Sequence, residues 1–318
     1  MGRPNAKQSV RLLLAAGVGA ALAGCGGSSK PAASSTGAAT TTSTITPTSA
    51  GALTSRRLTF DKGSGPLGFV DHGIVTRQGT VAVHDISYLS GGKSVAGYLL
   101  VPAKAKARPG IVLVHGSGGD RGELLGTAIQ LAKRGAVALT ITEPSSAHPP
   151  PAPTTAAQLL TESKATTEED VVAVRRAGDV LQALPAVAPG KLGYLGWSAG
   201  AKTGAFVAAS DPRFKALALL SGGADTLTAF VAAAPAAIRP KVRTVLGSVD
   251  PLRYLAYGKP GTILLEDGTK DTVVPHEALE NFINAAPSGT VVHWFKGGHQ
   301  LTGTAYTTAF AWLLGKLS

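Results

Sequence analysis

From residue 109 onward, short and almost wholly apolar runs alternate with stretches of helical spacing, and this pattern constrains the fold more than any other feature. Residues 110–116 read GIVLVHG. A strand with one face in water alternates apolar and polar side chains, whereas a nearly continuous apolar run belongs to a strand covered on both faces, as in a parallel sheet. Residues 124–135, LLGTAIQLAKRG, then show helical spacing and a glycine stop, and 136–142, AVALTIT, return to strand character. KLGYLGW (191–197), KALALLSGG (215–223), GTILLED (261–267) and TVVHWF (290–295) are further strand candidates. Amphipathic stretches at 276–286 and 304–317 flank the last of these.

Upstream, 80–89 (TVAVHDISYL) and 94–102 (SVAGYLLVP) are β-rich runs joined by Ser90-Gly91-Gly92-Lys93, a hairpin sequence. Between the strands at 136–142 and 191–197 lies a polar, proline-rich excursion over residues 143–155. A helix is predicted to start at Thr167, with Glu168, Glu169 and Asp170 at the positive end of its dipole and Val171, Val174, Leu181 and Leu184 on its apolar face; Pro185 ends it. The expected architecture is α/β: a mostly parallel doubly wound sheet preceded by an antiparallel N-terminal hairpin.

The first 54 residues read differently. Arg3, Lys7 and Arg11 precede the apolar stretch LLLAAGVGAALAG at 12–24, too short to span a bilayer and flanked like a secretory signal. It ends in Leu22-Ala23-Gly24-Cys25, which resembles a bacterial lipobox, and Cys25 is the one cysteine in 318 residues. Residues 1–24 are therefore expected to be a lipoprotein signal peptide, with Cys25 the lipidated residue and the mature protein extracytoplasmic and anchored to the membrane. Residues 25–54, rich in Gly, Ser, Thr, Ala and Pro, are too poor in apolar side chains to offset ordering entropy and read as a flexible tether. A single globular domain is expected over 55–318.

Charge separates the classes of partner. The chain carries 30 Lys+Arg against 19 Asp+Glu, and removal of 1–24 leaves 27 against 19, near +8, a sign suited to an anionic membrane face. Basic runs interleaved with aromatics are missing and aromatics make up only 5%, which argues against nucleic acid. Metal ligation has no support, because no His, Asp or Glu pair sits at ligand spacing with a third partner. A cofactor is not expected.

Residues 196–200, GWSAG, fit G-x-S-x-G, a sharp strand-to-helix turn that exposes a nucleophilic serine, Ser198. Serine needs an imidazole to take its proton and a carboxylate to orient that imidazole. Of the three downstream histidines, His276 lies at a helix start and His293 inside a strand. His299, in KGGHQ just past the last strand, hangs where a base should stand over the C-terminal sheet edge. Residues 263–275 offer Glu266, Asp267 and Asp271; the first two read as a polar cap or turn on Gly268, and Asp271 in the following loop is the preferred acid. Backbone N–H groups of Ala199 and Ser117, with Gly118 the near alternative to Ser117, are the expected oxyanion donors. His115 reads as structural.

Taken together, HGSGG (115–119), GWSAG (196–200), GTKDTVVP (268–275) and GGH (297–299) resemble the α/β-hydrolase superfamily, most closely its dienelactone-hydrolase-like and esterase branch. The resemblance spans about 80–318. It implies an α/β-hydrolase fold, a Ser198–Asp271–His299 triad and hydrolysis of a small-molecule ester or related acyl compound. Dienelactone hydrolases proper usually carry a cysteine nucleophile, so lactone specificity does not transfer to a chain with serine. Residues 226–260 exceed a plain strand connection and are expected to form part of a lid or a repositioned crossover.

Two other readings compete. Residues 196–203 approach G-x-x-x-x-G-K-[ST], but Ala201 stands where the second glycine belongs, and Lys202 then reads as an ordinary first-turn helix residue. A non-catalytic binding lipoprotein on the same fold, or a thioesterase or peptidase of the superfamily, is the remaining alternative.

Overall fold

The computed structural model describes residues 41–44, 60, 65–103 and 105–318. The signal peptide, Cys25 and most of the tether expected from the sequence lie outside the described residues. Within the tether segment, Thr41–Thr44 forms a strand, β1. It pairs antiparallel with the outer parallel strand Val291–Phe295.

The remaining strands are β2 (Val70–Gln78), β3 (Val81–Ser90), β4 (Lys93–Pro102), β5 (Arg108–Val114), β6 (Val137–Ile141), β7 (Val187–Trp197), β8 (Phe214–Leu220), β9 (Ile263–Gly268) and β10 (Val291–Phe295). They lie in the order β1-β10-β9-β8-β7-β5-β6-β4-β3-β2. The block from β6 to β10 is parallel throughout, while β2, β3 and β4 add antiparallel strands at one side. The hairpin between β3 and β4 turns on Gly91 (φ 56°) and Gly92 (φ 78°), a conformation that side chains resist. β2, exposed along its length, extends this hairpin into a three-stranded meander that the sequence pattern did not foretell.

The helices are α1 (Leu125–Lys133), α2 (Pro144–Ala147), α3 (Ala156–Ala183), α4 (Ala199–Ser210), α5 (Leu227–Ala233), α6 (Arg239–Ser248), α7 (Pro251–Ala256), α8 (His276–Ala285) and α9 (Gly303–Leu317). No helix among the described residues is long and apolar enough to cross a membrane.

The apolar runs are explained by two cores, one on each sheet face. Val112 and Val114 face the core shared with α3, α4, α7 and α8, whereas Ile111 and Leu113 face the core shared with α1 and α9. Leu217 and Leu219 against Ala216, Ala218 and Leu220 repeat the division on β8. Each buried Val, Leu or Ile among them contributes about 1.5–3 kcal/mol relative to exposure, so both faces select apolar residues.

Helix α3 begins eleven residues before the predicted start at Thr167. Thr155 is its cap: the Gln158 amide donates to Thr155 Oγ1 at 3.1 Å, and the Thr155 amide donates to Gln158 Oε1 at 3.1 Å. This capping box starts the helix at Ala156, and the acidic trio falls in mid-helix instead of at the dipole's positive end. Glu169 reaches Lys93 at 2.8 Å, and Asp170 is buried. The early turns of α3 pack Leu159 and Leu160 against Val231 of α5 and Val242 and Leu246 of α6. Within 226–260, α5 and α6 thus form a helical cap seated on the front of α3, while α7 packs Tyr254 and Leu255 into the main core.

Strand order reverses at β5. The chain passes from β5 to β6 on one side and then returns through α3 to β7 on the other, which opens a crevice beyond the carboxyl ends of β5 and β7.

Candidate active site

One residue separates β7 from α4. Ser198, with φ 57° and ψ −112°, occupies a conformation costly for a residue with a Cβ. Hydrogen bonds and close packing hold it there. Its amide donates to the Leu220 carbonyl at 2.8 Å, and the Gly200 amide donates to the His115 carbonyl at 3.0 Å. The Tyr194 hydroxyl donates to the Gly200 carbonyl at 2.5 Å. A Cβ on Gly196 would fall on the Gly200 backbone, and one on Gly200 would fall on the Val114 and His115 carbonyls. The two glycines of G-x-S-x-G are therefore steric requirements of the turn. A phosphate-cradling loop needs several residues of irregular backbone at this point, and the chain supplies one.

His299 and Asp271 meet Ser198 here. His299 Nε2 lies 2.8 Å from Ser198 Oγ, and His299 Nδ1 lies 2.8 Å from Asp271 Oδ2. Asp271 Oδ1 accepts the Val273 and Val274 amides at 2.8 and 2.9 Å, which fixes the carboxylate plane. A carboxylate only accepts, so Nδ1 carries the proton and Nε2 is left to accept from the serine hydroxyl. The His299 carbonyl in turn accepts the Trp197 indole N–H at 3.1 Å and the Ser221 hydroxyl at 2.8 Å. Gly268 has no room for a Cβ against the Gly297 and Gly298 carbonyls, so the histidine loop closes over the end of β9. Neither Trp197 nor Ser221 carried a role in the sequence reading, and Gly268 figured there only as a turn residue; their contacts come from a loop 30 to 100 residues away.

The loop at 115–119 follows β5 and faces the same crevice. A turn closes it through the Gly119 amide to the Gly116 carbonyl at 3.1 Å, with Gly118 at φ 70°. Glu123 Oε2 accepts the Gly116 amide at 2.8 Å, a second contact the sequence did not reveal. His115 is structural: its Nδ1 donates to the Gly116 carbonyl at 2.6 Å and its Nε2 accepts the Glu143 amide at 3.1 Å. Ser117, Gly118 and Ala199 all line a cavity of about 620 Å³ that also reaches Glu143, Lys202 and Thr203. A smaller cavity of about 200 Å³, with Leu227, Phe230, Leu246 and Val274 among its walls, lies under the helical cap.

Three residues depart from their sequence reading. Glu266 and Asp267 are not a polar cap or turn; both lie within β9, fully buried. Burial pushes the Glu266 carboxyl up to about 7, opposed by His293, whose Nδ1 lies 3.3 Å from Glu266 Oε1. Burial, aided by the neighbouring Asp271 and Glu266 carboxylates, holds Asp267 well above the carboxylate range. The strand environment explains the difference, because parallel strands bury both faces. Lys202 is the third: it is no ordinary helix residue but lines both cavities. His293 is claimed by the sheet, and His276 is exposed and 3.3 Å from Glu280.

Two buried carboxyls stand behind the crevice. Glu143 accepts the Thr203 hydroxyl at 2.8 Å, and burial pushes it up to about 7. Asp170 accepts the Ser145 amide and hydroxyl at 3.0 and 2.6 Å; burial, with help from Glu143, raises it well above its usual range.

Several solved structures share this fold. Acetyl xylan esterase 1 from Thermoanaerobacterium sp. superposes with a TM-score of 0.67 at 15% identity, over 80% of this chain and 89% of that one. An acetyl xylan esterase from Paenibacillus sp. R4 gives 0.65 at 17% identity, over 78% and 89%. A glucuronoyl esterase from Solibacter usitatus gives 0.56 at 14% identity, over 81% and 89%. No curated protein matches the sequence. The model of the dienelactone hydrolase family matches residues 95–301, which cover both loops, the elbow and the acid-histidine segment, and the chain belongs to that family.

Proposed function

We propose that this protein is a serine hydrolase that cleaves a carboxylic ester of a small molecule through a covalent acyl-enzyme. The observation that carries the reading is the continuous chain from Asp271 through His299 to Ser198, with both contacts at 2.8 Å and the serine held at positive φ. Ser198 Oγ attacks the ester carbonyl carbon while its proton passes to His299 Nε2, and Asp271 stabilises the imidazolium. The amides of Ala199 and Ser117 hold the oxyanion; removal of one such donor typically costs about 3–4 kcal/mol of barrier. Collapse of the tetrahedral species breaks the bond to the alkoxide, which leaves as the alcohol with the proton from Nε2. Water then attacks the acyl-serine, gives a proton to Nε2, and releases the acid while Ser198 regains its hydrogen.

Family membership and the esterases of the same fold support this assignment. Purified Ser198→Ala should retain its fold by circular dichroism and lose turnover of p-nitrophenyl acetate. Undiminished turnover would reject the mechanism.

The site of action follows from the N-terminal sequence. The basic flank, the short apolar stretch and Cys25 at the end of Leu-Ala-Gly-Cys support export and lipid anchoring, with residues 25–54 as the tether. Cys25→Ser should move the protein from the membrane fraction into the medium; retention on the membrane would count against the anchor.

A further inference from the structure

Lys202 stands four residues beyond Ser198 on α4, about 6 Å along the helix axis. It is the one basic side chain among the described residues lining either cavity, and together with Thr166, Thr167, Val249 and Pro251 it forms the wall between them. Among the described residues its ammonium makes no hydrogen bond and no ion pair.

This placement is unfavourable twice over. Burial pushes the ammonium below the usual lysine range, with Asp225 on the wall of the smaller cavity opposing that shift. The first turns of a helix carry positive potential, which disfavours a cation and favours an anion. The carboxyls of the larger cavity do not compensate. Glu143 is engaged by Thr203 and Asp170 by Ser145, and burial drives both toward the neutral form.

We propose that Lys202 binds a carboxylate borne by the substrate, so that the preferred esters are those of a small acid carrying a second, free carboxylate a few bonds from the scissile carbonyl. This assignment rests on the serine-hydrolase reading. An incoming carboxylate would give the ammonium its missing partner, lie in the favourable field of α4, and place the ester carbonyl beside Ser117 and Ala199. A lysine fits a single compact anion better than a bidentate one, because its charge is a point and not a fork.

The test compares p-nitrophenyl hemisuccinate with p-nitrophenyl acetate, with kcat/KM measured for each in the full-length protein. The wild type should favour the hemisuccinate, and Lys202→Met should lower the hemisuccinate-to-acetate ratio by about thirtyfold, as loss of one partner of an enclosed charge pair does. Lys202→Arg should recover part of the ratio. A ratio that stays within about twofold of wild type in folded Lys202→Met overturns the assignment. Should that variant fail to fold, Lys202→Gln removes the charge with a polar side chain of similar reach and should lower the ratio likewise; an unchanged ratio there is equally contrary. A wild type that hydrolyses neither ester fails at Ser198, whereas one that hydrolyses the acetate without a Lys202-dependent preference fails at Lys202 alone.

Discussion

The indole N–H of Trp197 donates to the backbone carbonyl of His299 at 3.1 Å, so the residue that precedes the nucleophile also holds the loop of its base. Ser221 donates to the same carbonyl at 2.8 Å from the end of β8. Trp197→Phe keeps the ring against His299, whose centroids are 5.1 Å apart, and removes the hydrogen bond. One such bond is worth about 1 kcal/mol, so kcat for p-nitrophenyl acetate should fall about fivefold with KM nearly unchanged. Removing both bonds, in Trp197→Phe with Ser221→Ala, should exceed the sum of the single losses, because either bond alone still anchors the loop. Steady-state kinetics of the three variants measure this directly.

The elbow tolerates no added carbon at Gly200. A Cβ there meets the Val114 and His115 carbonyls, which are backbone and cannot swing aside. Gly200→Ala should destabilise the protein by about 3 kcal/mol or more, read as a lowered urea midpoint, and should abolish esterase activity. Gly303→Ala, where an added Cβ meets nothing, is the control expected to leave both unchanged.

Glu123 acts on the oxyanion loop without facing the substrate. Its Oε2 accepts the Gly116 amide at 2.8 Å, which sets the entry of the loop that carries Ser117. Glu123→Ala should lower kcat by about tenfold while KM holds, since a donor displaced from the oxyanion loses transition-state contact more than ground-state binding. Glu123→Gln retains an acceptor oxygen and should restore most of the rate. Equal losses in kcat and in thermal stability for both variants would assign Glu123 a purely structural role.

Glu143 ties stability to pH. Burial pushes its folded carboxyl up to about 7, above the 4.5 of an ordinary glutamate. Between those values the folded state binds a proton that the unfolded state has released. The stability from burying the neutral acid is therefore fullest below about 4.5 and is lost as pH rises through about 7. Glu143→Gln carries no proton to lose. Relative to wild type it should gain on the order of 1–3 kcal/mol between pH 5 and pH 8 in urea denaturation. A difference between variant and wild type that does not change with pH would contradict the buried, neutralised carboxyl.

What could be read from the sequence follows from where the information is local. All the parallel strands from β5 to β10 were legible because burial on both faces selects apolar residues at most positions. The elbow was legible because its glycines are steric necessities, and the hairpin because Gly91 and Gly92 both need positive φ. β2 left no such trace: an edge strand exposed along its length has no core to select its side chains. The early turns of α3 were missed because their apolar residues face the cap and not the main core, although Thr155 and Gln158 spelled the capping box. The choice of Asp271 over Glu266 and Asp267 rested on its place in a loop, and the structure puts Asp271 alone of the three against His299. Glu123 and Ser221 take their contacts from packing between distant segments, and no local pattern marks them.

The central claim is that Ser198 is an activated nucleophile, and a fluorophosphonate probe reads this most directly. Wild-type protein should gain one covalent phosphonyl adduct, located by mass spectrometry on Ser198, and labelling should disappear in Ser198→Ala and fall steeply in His299→Ala. A folded, unmodified wild type, or an adduct that persists in Ser198→Ala, would contradict the account and return the chain to a binding role on a hydrolase fold.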